Sequence, residues 1–395
     1  MGKPNVGKST FFSAATSVRV SIANYPFTTI LPNRGIGYVK SKCVCTTLDV
    51  RDEPRNSRCV DGVRQIPVEI LDCAGLVPGA WQGRGLGNQF LDELRAADAL
   101  IQVVDVSGST DAEGKPCKEG SRNPLEDVAF LHTELNMWFH RILSADWPKV
   151  AKHAASPGRT IIESLVKQLS GLGVTKFHVQ DALEKSSLES KPAVTWSRED
   201  LERLAAALRE ICKPVLIAAN KMDLPTSKLY LDAVRGLPLI VVPTSAESEL
   251  ALSRAAEKQL IRYSSGDGDF QILEPGKLSM QQLAGLEKIR SEVLTPYGST
   301  GVQDCLNRSY FELLHMITVY PVSDPESYTD HKGRVLPDAY LVPSGSTIFD
   351  LAEKIHSDLS TGFLYGIEAR SKKRVGQEYV LRDGDIVSIV STKAR

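Results

Sequence analysis

Gly2-Lys3-Pro4-Asn5-Val6-Gly7-Lys8-Ser9 follows directly on Met1. The spacing is G-x-x-x-x-G-K-S, that of a loop whose backbone amides cradle phosphates while a lysine and a hydroxyl complete the site. Alone, the octapeptide fits equally a glycine-rich turn with a solvated Lys8. Three further segments, in a fixed order, decide between the two. Asp72-Cys73-Ala74-Gly75 follows the alternating run 66–71. Asn220-Lys221-Met222-Asp223 follows the apolar run 214–219, and Ser245-Ala246-Glu247 follows 239–242. Each lies where an apolar strand ends, the edge at which open α/β sheets bind ligands. The fold class read from this order is α/β, with the phosphate loop at its heart.

Around these segments the resemblance becomes specific. Asn24-Tyr25-Pro26-Phe27-Thr28-Thr29-Ile30 with Pro32-Asn33 resembles the switch I of Obg-superfamily (TRAFAC) GTPases. Gly75-Leu76-Val77-Pro78-Gly79-Ala80, then Gly83-Arg84-Gly85-Leu86-Gly87, resembles their glycine-rich switch II. The sequence is similar to YchF-type proteins of the archaeal kind through essentially its whole length. The resemblance implies a P-loop G domain with a helical insertion and a C-terminal α+β β-grasp module of the TGS type.

Roles follow from the chemistry and the resemblance together. The nucleotide-binding stretch is Gly2, Lys3, Pro4, Asn5, Val6, Gly7, Lys8, Ser9 and Thr10, in which the backbone N–H groups from Asn5 to Ser9, with the N-terminus of the following helix, hold the α- and β-phosphates. Lys8 reaches the β- and γ-phosphates, and Ser9, Thr29 and Asp72 are the Mg2+ candidates, with Thr28 second to Thr29. The Gly75 amide senses the γ-phosphate. Asp223 offers two carboxylate oxygens to the guanine N1–H and amine, a pair of donors that adenine lacks, so GTP is expected over ATP. Asn220 and Lys221 flank the ring, and Ser245, Ala246 and Glu247 complete the nucleotide site. Candidates for catalysis are Asn5, Lys8, Thr29 and Gly75. Leu76 stands where Ras-like enzymes carry a water-orienting glutamine. It implies slow intrinsic hydrolysis, or is simply a packing residue. Asn5 resembles a loop asparagine that helps bind K+ in several such families.

Length and composition set the frame. The 395 residues carry a net charge of −1, with 42% apolar and 24% charged residues. That is more chain than one hydrophobic core accommodates, and no global field draws it to nucleic acid or membrane. No apolar run reaches the length of a membrane span and no signal peptide opens the chain, so a cytoplasmic protein, a monomer, is expected. The loop ordinarily hangs from a buried strand, and Met1 leaves no room for one. Met1 therefore reads as a truncated or mis-assigned start. Seven cysteines at irregular spacing argue against a disulfide framework. Cys43, Cys45 and Cys59 cluster, but the usual zinc spacing is absent and no fourth ligand stands out, so they read as buried reduced thiols.

The expected division is a G domain from 1–110 and 213–312, a helical αα-hairpin insertion over 111–212, and a TGS domain over 315–395. In the insertion, Val128, Leu131, Leu135, Trp138 and Ile142 mark one amphipathic helix. Ile161, Ile162, Leu165, Val166 and Leu169 mark a second, and Ser197 with Asp200 caps a third running through Leu201, Leu204, Leu208 and Ile211. The stripe Leu283, Leu286, Ile289 and Val293 predicts a further helix before Pro296. From 317 on, short strands surround one helix through Leu351, Ile355 and Leu359, capped by Thr347 and Asp350. Arg370, Lys372, Lys373 and Arg374 form a basic run that reads as a solvated loop or an RNA contact. The function expected is a GTPase switch meeting ribosomes or RNA through the arm and the TGS module. The competing expectations are an ATP-hydrolysing YchF-like protein and a nucleotide-impaired scaffold.

Overall fold

The computed structural model describes residues 1–16, 33–73, 75–76, 79 and 93–393. It divides into two compact units, Met1–Ala14 with Leu71–Cys305, and Ala15–Ile70 with Leu306–Arg395. The strands in chain order begin with β1 (Arg34–Lys42), β2 (Arg58–Val60) and β3 (Val63–Leu71), which form one sheet in the order β1-β3-β2. Asp61 and Gly62, both with positive φ, make the tight turn joining the antiparallel β2 and β3. Next come β4 (Leu100–Asp105), β5 (Val215–Asn220) and β6 (Ile240–Thr244), all parallel and in that order.

In the first unit this parallel sheet is the frame of the site. Every residue of β5 is buried, which is why it reads as an unbroken apolar run. Met1 pairs on the other edge of β4 in the manner of a strand residue. Its nitrogen donates to the Ile101 carbonyl (2.9 Å), and Val103 N–H donates to the Met1 carbonyl (2.8 Å). Asp105 and Asn220 end β4 and β5 in register, so their side chains emerge together at the carboxyl edge.

Between β4 and β5 the chain is helical. The helix Pro124–Ser144 starts under an Asn123 cap and buries Val128, Leu131, Leu135 and Trp138. It packs on Arg198–Cys212, whose Ser197–Asp200 capping box is formed as the sequence suggests. Three shorter helices, Trp147–Ala154, Ile161–Gln168 and Lys176–Lys185, lie between them in sequence, so the segment is richer than a bare hairpin. Trp147 stacks on Trp196 with ring centroids 5.1 Å apart.

The stripe before Pro296 departs from expectation. The helix Met280–Ile289 runs on through a π-helical turn, Arg290–Leu294, and then takes in Pro296 within Thr295–Tyr297. A widened turn re-routes the ladder around the proline, which has no N–H to give, and the helix need not stop before it. The short hairpin β7 (Ile261–Arg262) and β8 (Gln271–Ile272) precedes it.

In the second unit the C-terminal strands form a mixed sheet. They are β9 (Met316–Val322), β10 (Tyr340–Pro343), β11 (Phe363–Glu368), β12 (Lys373–Val375) and β13 (Ile386–Ser391). The order is β10-β9-β13-β11-β12, with β9 and β13 parallel and the other pairs antiparallel. Ile348–Ile355 packs on this sheet under the Thr347–Asp350 capping box. Sequence periodicity carries that helix through Leu359, but His356 is extended and its ring accepts the Asp358 N–H. A second short helix, Ser357–Thr361, begins there. The basic run is the turn and strand of the β11–β12 hairpin, with Arg374 over the Tyr365 ring and Lys372 paired with Glu326.

Leu204, fully buried against the Pro124–Ser144 helix, tests the insertion's packing. Leu204→Ala is expected to cost about 3 kcal/mol, read as a lower denaturant midpoint with the m-value unchanged.

Candidate functional site

The phosphate loop adopts its curl through positive φ at Gly2, Asn5 and Gly7. Gly2 must be glycine, because a Cβ would sit 2.5 Å from the Val103 carbonyl of β4. Gly7 must be glycine because a Cβ would strike the Asn220 amide at 2.3 Å. The helix Lys8–Thr16 begins within the loop, so its free amides and dipole face the loop's hollow. Lys8 Nζ donates to the Lys3 carbonyl (2.8 Å), which holds the ammonium across the loop's mouth. Burial lowers the Lys8 pKa, and the neighbouring Asp72 opposes that shift.

Ser9 and Asp72 come together. The Ser9 hydroxyl donates to Asp72 Oδ2 at 3.4 Å, so two side-chain oxygens converge beside the loop. Gly75 lies over the loop as well: a Cβ there would be 3.2 Å from Lys8 Nζ and 3.3 Å from Pro4. Its neighbour Leu76 donates its amide to the Gly2 carbonyl and buries its side chain with Met1, Cys73, Leu94 and Leu100. Of the two readings of Leu76, packing is the one this geometry displays.

At the other end, Asn220 acts as a brace. Its Nδ2 donates to the Val6 carbonyl (2.9 Å) and its Oδ1 accepts the Ala246 N–H (3.0 Å). The amide is spent on both sides, joining the phosphate loop to Ser245-Ala246-Glu247. Asp223 Oδ1 accepts the Ser245 hydroxyl (2.8 Å), which also caps the helix Ala246–Glu257. Asp223 opens on a hollow shared with Glu247, Ser248, Ala251 and Lys288. Of the predicted site residues, Thr29, with its alternative Thr28, lies outside the described residues, as does most of both switch segments.

A hub that sequence reading missed joins these parts. Asp105, buried at the end of β4, accepts the hydroxyls of Ser107 (2.5 Å), Ser109 (2.8 Å) and Thr110 (3.0 Å) and the Lys221 ammonium (2.9 Å). This folds the loop after β4 over the phosphate loop. Asn5 Nδ2 donates to the Gly114 carbonyl (2.9 Å), and Lys3 Nζ donates to the Thr110 carbonyl (2.8 Å) while pairing with Asp127 (2.6 Å). Lys3, one of the loop residues expected at the nucleotide, has its side chain buried in that pair. The signal available in sequence was the run Asp105-Val-Ser-Gly-Ser-Thr110, an acid followed by hydroxyls at a strand's end.

A parallel sheet, a curled phosphate loop, converging serine and aspartate oxygens and a braced Asn-Lys-Met-Asp turn define a P-loop GTPase domain. Residues 1–131 match the family described as 50S ribosome-binding GTPase. Residues 218–324 match the Obg-like GTPase YGR210-like, G4 motif-containing domain, and residues 328–391 match the TGS domain. The chain is 48% identical to the uncharacterized GTP-binding protein MJ1332 of Methanocaldococcus jannaschii, over 99% of this chain and 98% of that one. It is 28% identical to the ribosome-binding ATPase YchF of Bacillus subtilis, over 98% and 96% of the two chains. Among solved structures, the GTP-binding protein from Pyrococcus horikoshii OT3 superposes with a TM-score of 0.78 at 39% identity, covering 99% and 98%. The chain belongs to the Obg-like, YchF-type family of GTP-binding proteins, with a C-terminal TGS domain. Among the described residues no helix is long and apolar enough to cross a membrane.

Burial pushes the Asp105 carboxyl up, but the Ser107 hydroxyl and the Lys221 ammonium outweigh it and hold it below the ordinary carboxylate range. A depressed acid stabilises the fold above its unfolded pKa, and that share is lost as pH falls through the folded value. Asp105→Asn is expected to cost about 3 kcal/mol at neutral pH. Urea titrations down to about pH 3 should show the variant's deficit shrinking with acid.

Proposed function

We propose that the chain binds GTP and GDP with Mg2+, hydrolyses GTP slowly, and serves as a nucleotide switch in contact with ribosomes or RNA. The observation that carries this reading is the bracing of both ends of one site. Asn220 fixes the phosphate loop against the Ser245 turn, and Ser245 in turn fixes Asp223.

Each residue then has a task. Amides from Asn5 to Ser9 and the helix N-terminus receive phosphate oxygens. Lys8 exchanges the Lys3 carbonyl for phosphate oxygens, which are stronger acceptors because they are charged. Ser9 and Asp72 are two oxygen donors of the kind a hard cation takes, and Thr29 is the proposed third. Bound Mg2+ supplies positive charge to the phosphates. The Gly75 amide is the proposed contact to the terminal phosphate, and the closeness of this residue to Lys8 supports that role. Asp223 reads the guanine edge, and the stem of Lys221, held by Asp105, flanks the ring.

Asn5 donates through Nδ2 to Gly114, which leaves its Oδ1 as an acceptor for K+ near the phosphates. Contact with a ribosome is supported by the family description over residues 1–131 and by the bacterial relatives' name. The TGS hairpin with Arg370 and Lys373 and the helical arm are the proposed contact surfaces, in a cytoplasmic monomer.

The bacterial name also raises an ATPase as a second reading. The carboxylate of Asp223 argues for guanine, because it pairs with two donors that adenine does not offer. Calorimetric titration with GTP, GDP and ATP in Mg2+ buffer tests this. Tight binding of both guanine nucleotides and weak binding of ATP are expected; ATP preference, or no binding at all, overturns the proposal. Asp223→Asn should move preference toward xanthosine nucleotides. Turnover is expected to be several-fold faster in K+ than in Na+, and equal rates would remove the role given to Asn5.

A further inference from the structure

We propose that Cys43, Cys45, Asp52 and Cys59 form a structural zinc site in the second unit. Their ligand atoms, three thiol sulfurs and one carboxylate oxygen, all lie within 4.8 Å of one another. A tetrahedral ion with Zn–S of about 2.3 Å and Zn–O of about 2.0 Å sets S···S edges near 3.8 Å and S···O edges near 3.5 Å. The Cys45 and Cys59 sulfurs are 3.7 Å apart, and Cys43 Sγ is 3.3 Å from Asp52 Oδ2. Those two distances match two of the tetrahedron's six edges, and the other four stay within 4.8 Å. A disulfide needs about 2.05 Å between sulfurs, and all seven cysteines of the chain are free.

The four ligands come from four pieces of local structure. Cys43 follows β1, and its N–H donates to the Gly62 carbonyl in the β2–β3 turn. Cys45 opens the short helix Cys45–Leu48, Asp52 lies in the loop beyond it, and Cys59 is the middle residue of β2. The spacing Cys-x-Cys is tighter than the usual pair, and the fourth ligand is an aspartate. Sequence pattern therefore hid a set that the fold assembles.

The surroundings fit an anionic metal centre. Three thiolates and a carboxylate around a divalent ion leave excess negative charge. Fully buried Arg64, whose backbone pairs with Cys59 across the hairpin, donates to Asp52 Oδ2 (2.7 Å) and to the Leu336 carbonyl (2.6 Å). The buried Tyr320 hydroxyl makes no hydrogen bond of ordinary geometry among the described residues and lies close to Cys43, where a thiolate would accept from it. Packing of reduced thiols explains one or two buried cysteines. It does not explain three sulfurs converging with a carboxylate, a buried guanidinium and the Tyr320 hydroxyl.

Such an ion would order a stretch with little apolar core of its own. The same loop holds the segment that leads into β10. Glu53 N–H donates to Val335, Arg55 N–H donates to Pro337, and Asn56 exchanges two hydrogen bonds with Ala339. Metal loading would therefore be felt in the seating of β10.

The test uses the full chain, expressed with zinc in the medium and purified without chelator. Elemental analysis is expected to give one zinc per chain, released when the thiols are modified. Cobalt titrated into chelator-stripped protein should give thiolate-to-metal charge-transfer bands and the visible bands of a tetrahedral site. Cys45→Ser, Cys59→Ser and Asp52→Ala should each lower metal affinity by at least about tenfold. If the variants fail to fold, the cobalt spectrum of the unaltered chain and its drop in melting temperature on chelation decide. Absence of zinc together with absence of cobalt bands overturns the proposal. So does a Cys45–Cys59 disulfide in freshly purified protein, or undiminished zinc in the Cys43→Ser, Cys45→Ser, Cys59→Ser triple variant.

Discussion

Asp105 is the buried charge on which the first unit's site depends. A carboxylate taken out of water costs several kcal/mol unless donors replace the lost hydration. Here three hydroxyls and the Lys221 ammonium do so. The donors come from two different loops, and that is the structural consequence. Satisfying one carboxylate draws the loop after β4 and the turn after β5 to the same point. Lys221 takes a left-handed backbone, φ 66°, to reach it. A non-glycine residue tolerates that strain only where its surroundings fix it.

From this point the coupling spreads through two more contacts. The loop drawn in by Asp105 lays the Thr110 and Gly114 carbonyls over the phosphate loop, where Lys3 and Asn5 donate to them. Lys3 also reaches Asp127, in the first turn of the Pro124–Ser144 helix. Seven residues further along this helix, past Leu131, Glu134 accepts the Gly79 N–H. The helix that opens the insertion is thus fastened at one point to the phosphate loop and at another to the segment beyond Asp72. Movement of Gly79 would be felt by that helix through this directional hydrogen bond, in a molecule whose packed interior deforms little.

How much of this was legible in sequence follows from which interactions are local. Capping boxes at Ser197 and Thr347 depend on residues three apart and were readable, as were the apolar stripe of Pro124–Ser144 and the buried run of β5. The order of motifs along the chain placed Ser9 near Asp72, and Asp223 near Ser245, because parallel strands end at one edge. Asp105 escaped because its value lies in partners from separate loops. Asn220 reads from sequence as a residue flanking the base, and its bracing bonds to the Val6 and Ala246 main chain are not legible there. Helix ends were the least legible. His356 breaks a periodic pattern by its own side-chain bond, and Pro296 fails to end a helix because a π turn re-routes the ladder before it.

Leu76 narrows the chemistry available on the proposed reading. Its amide is tied to Gly2 and its side chain is 3% exposed in the cluster with Cys73, Leu94 and Leu100. Withdrawing it would expose apolar surface worth about 2 kcal/mol, and the side chain has no polar atom to orient a water in return. Polar assistance at the terminal phosphate must come from groups already aimed there. Lys8 is one: its ammonium is partly desolvated and, among the described residues, donates to the Lys3 carbonyl with Asp72 nearby. A charged phosphate oxygen would compete well for it. Asn5 is the other, held by Gly114 so that its free oxygen stays at the loop's edge. The loop after β4 therefore does more than cover the phosphate loop, because it fixes the orientation of the Asn5 amide there. Any catalytic contribution from Asn5 is in this sense set by Asp105, which holds that loop in place.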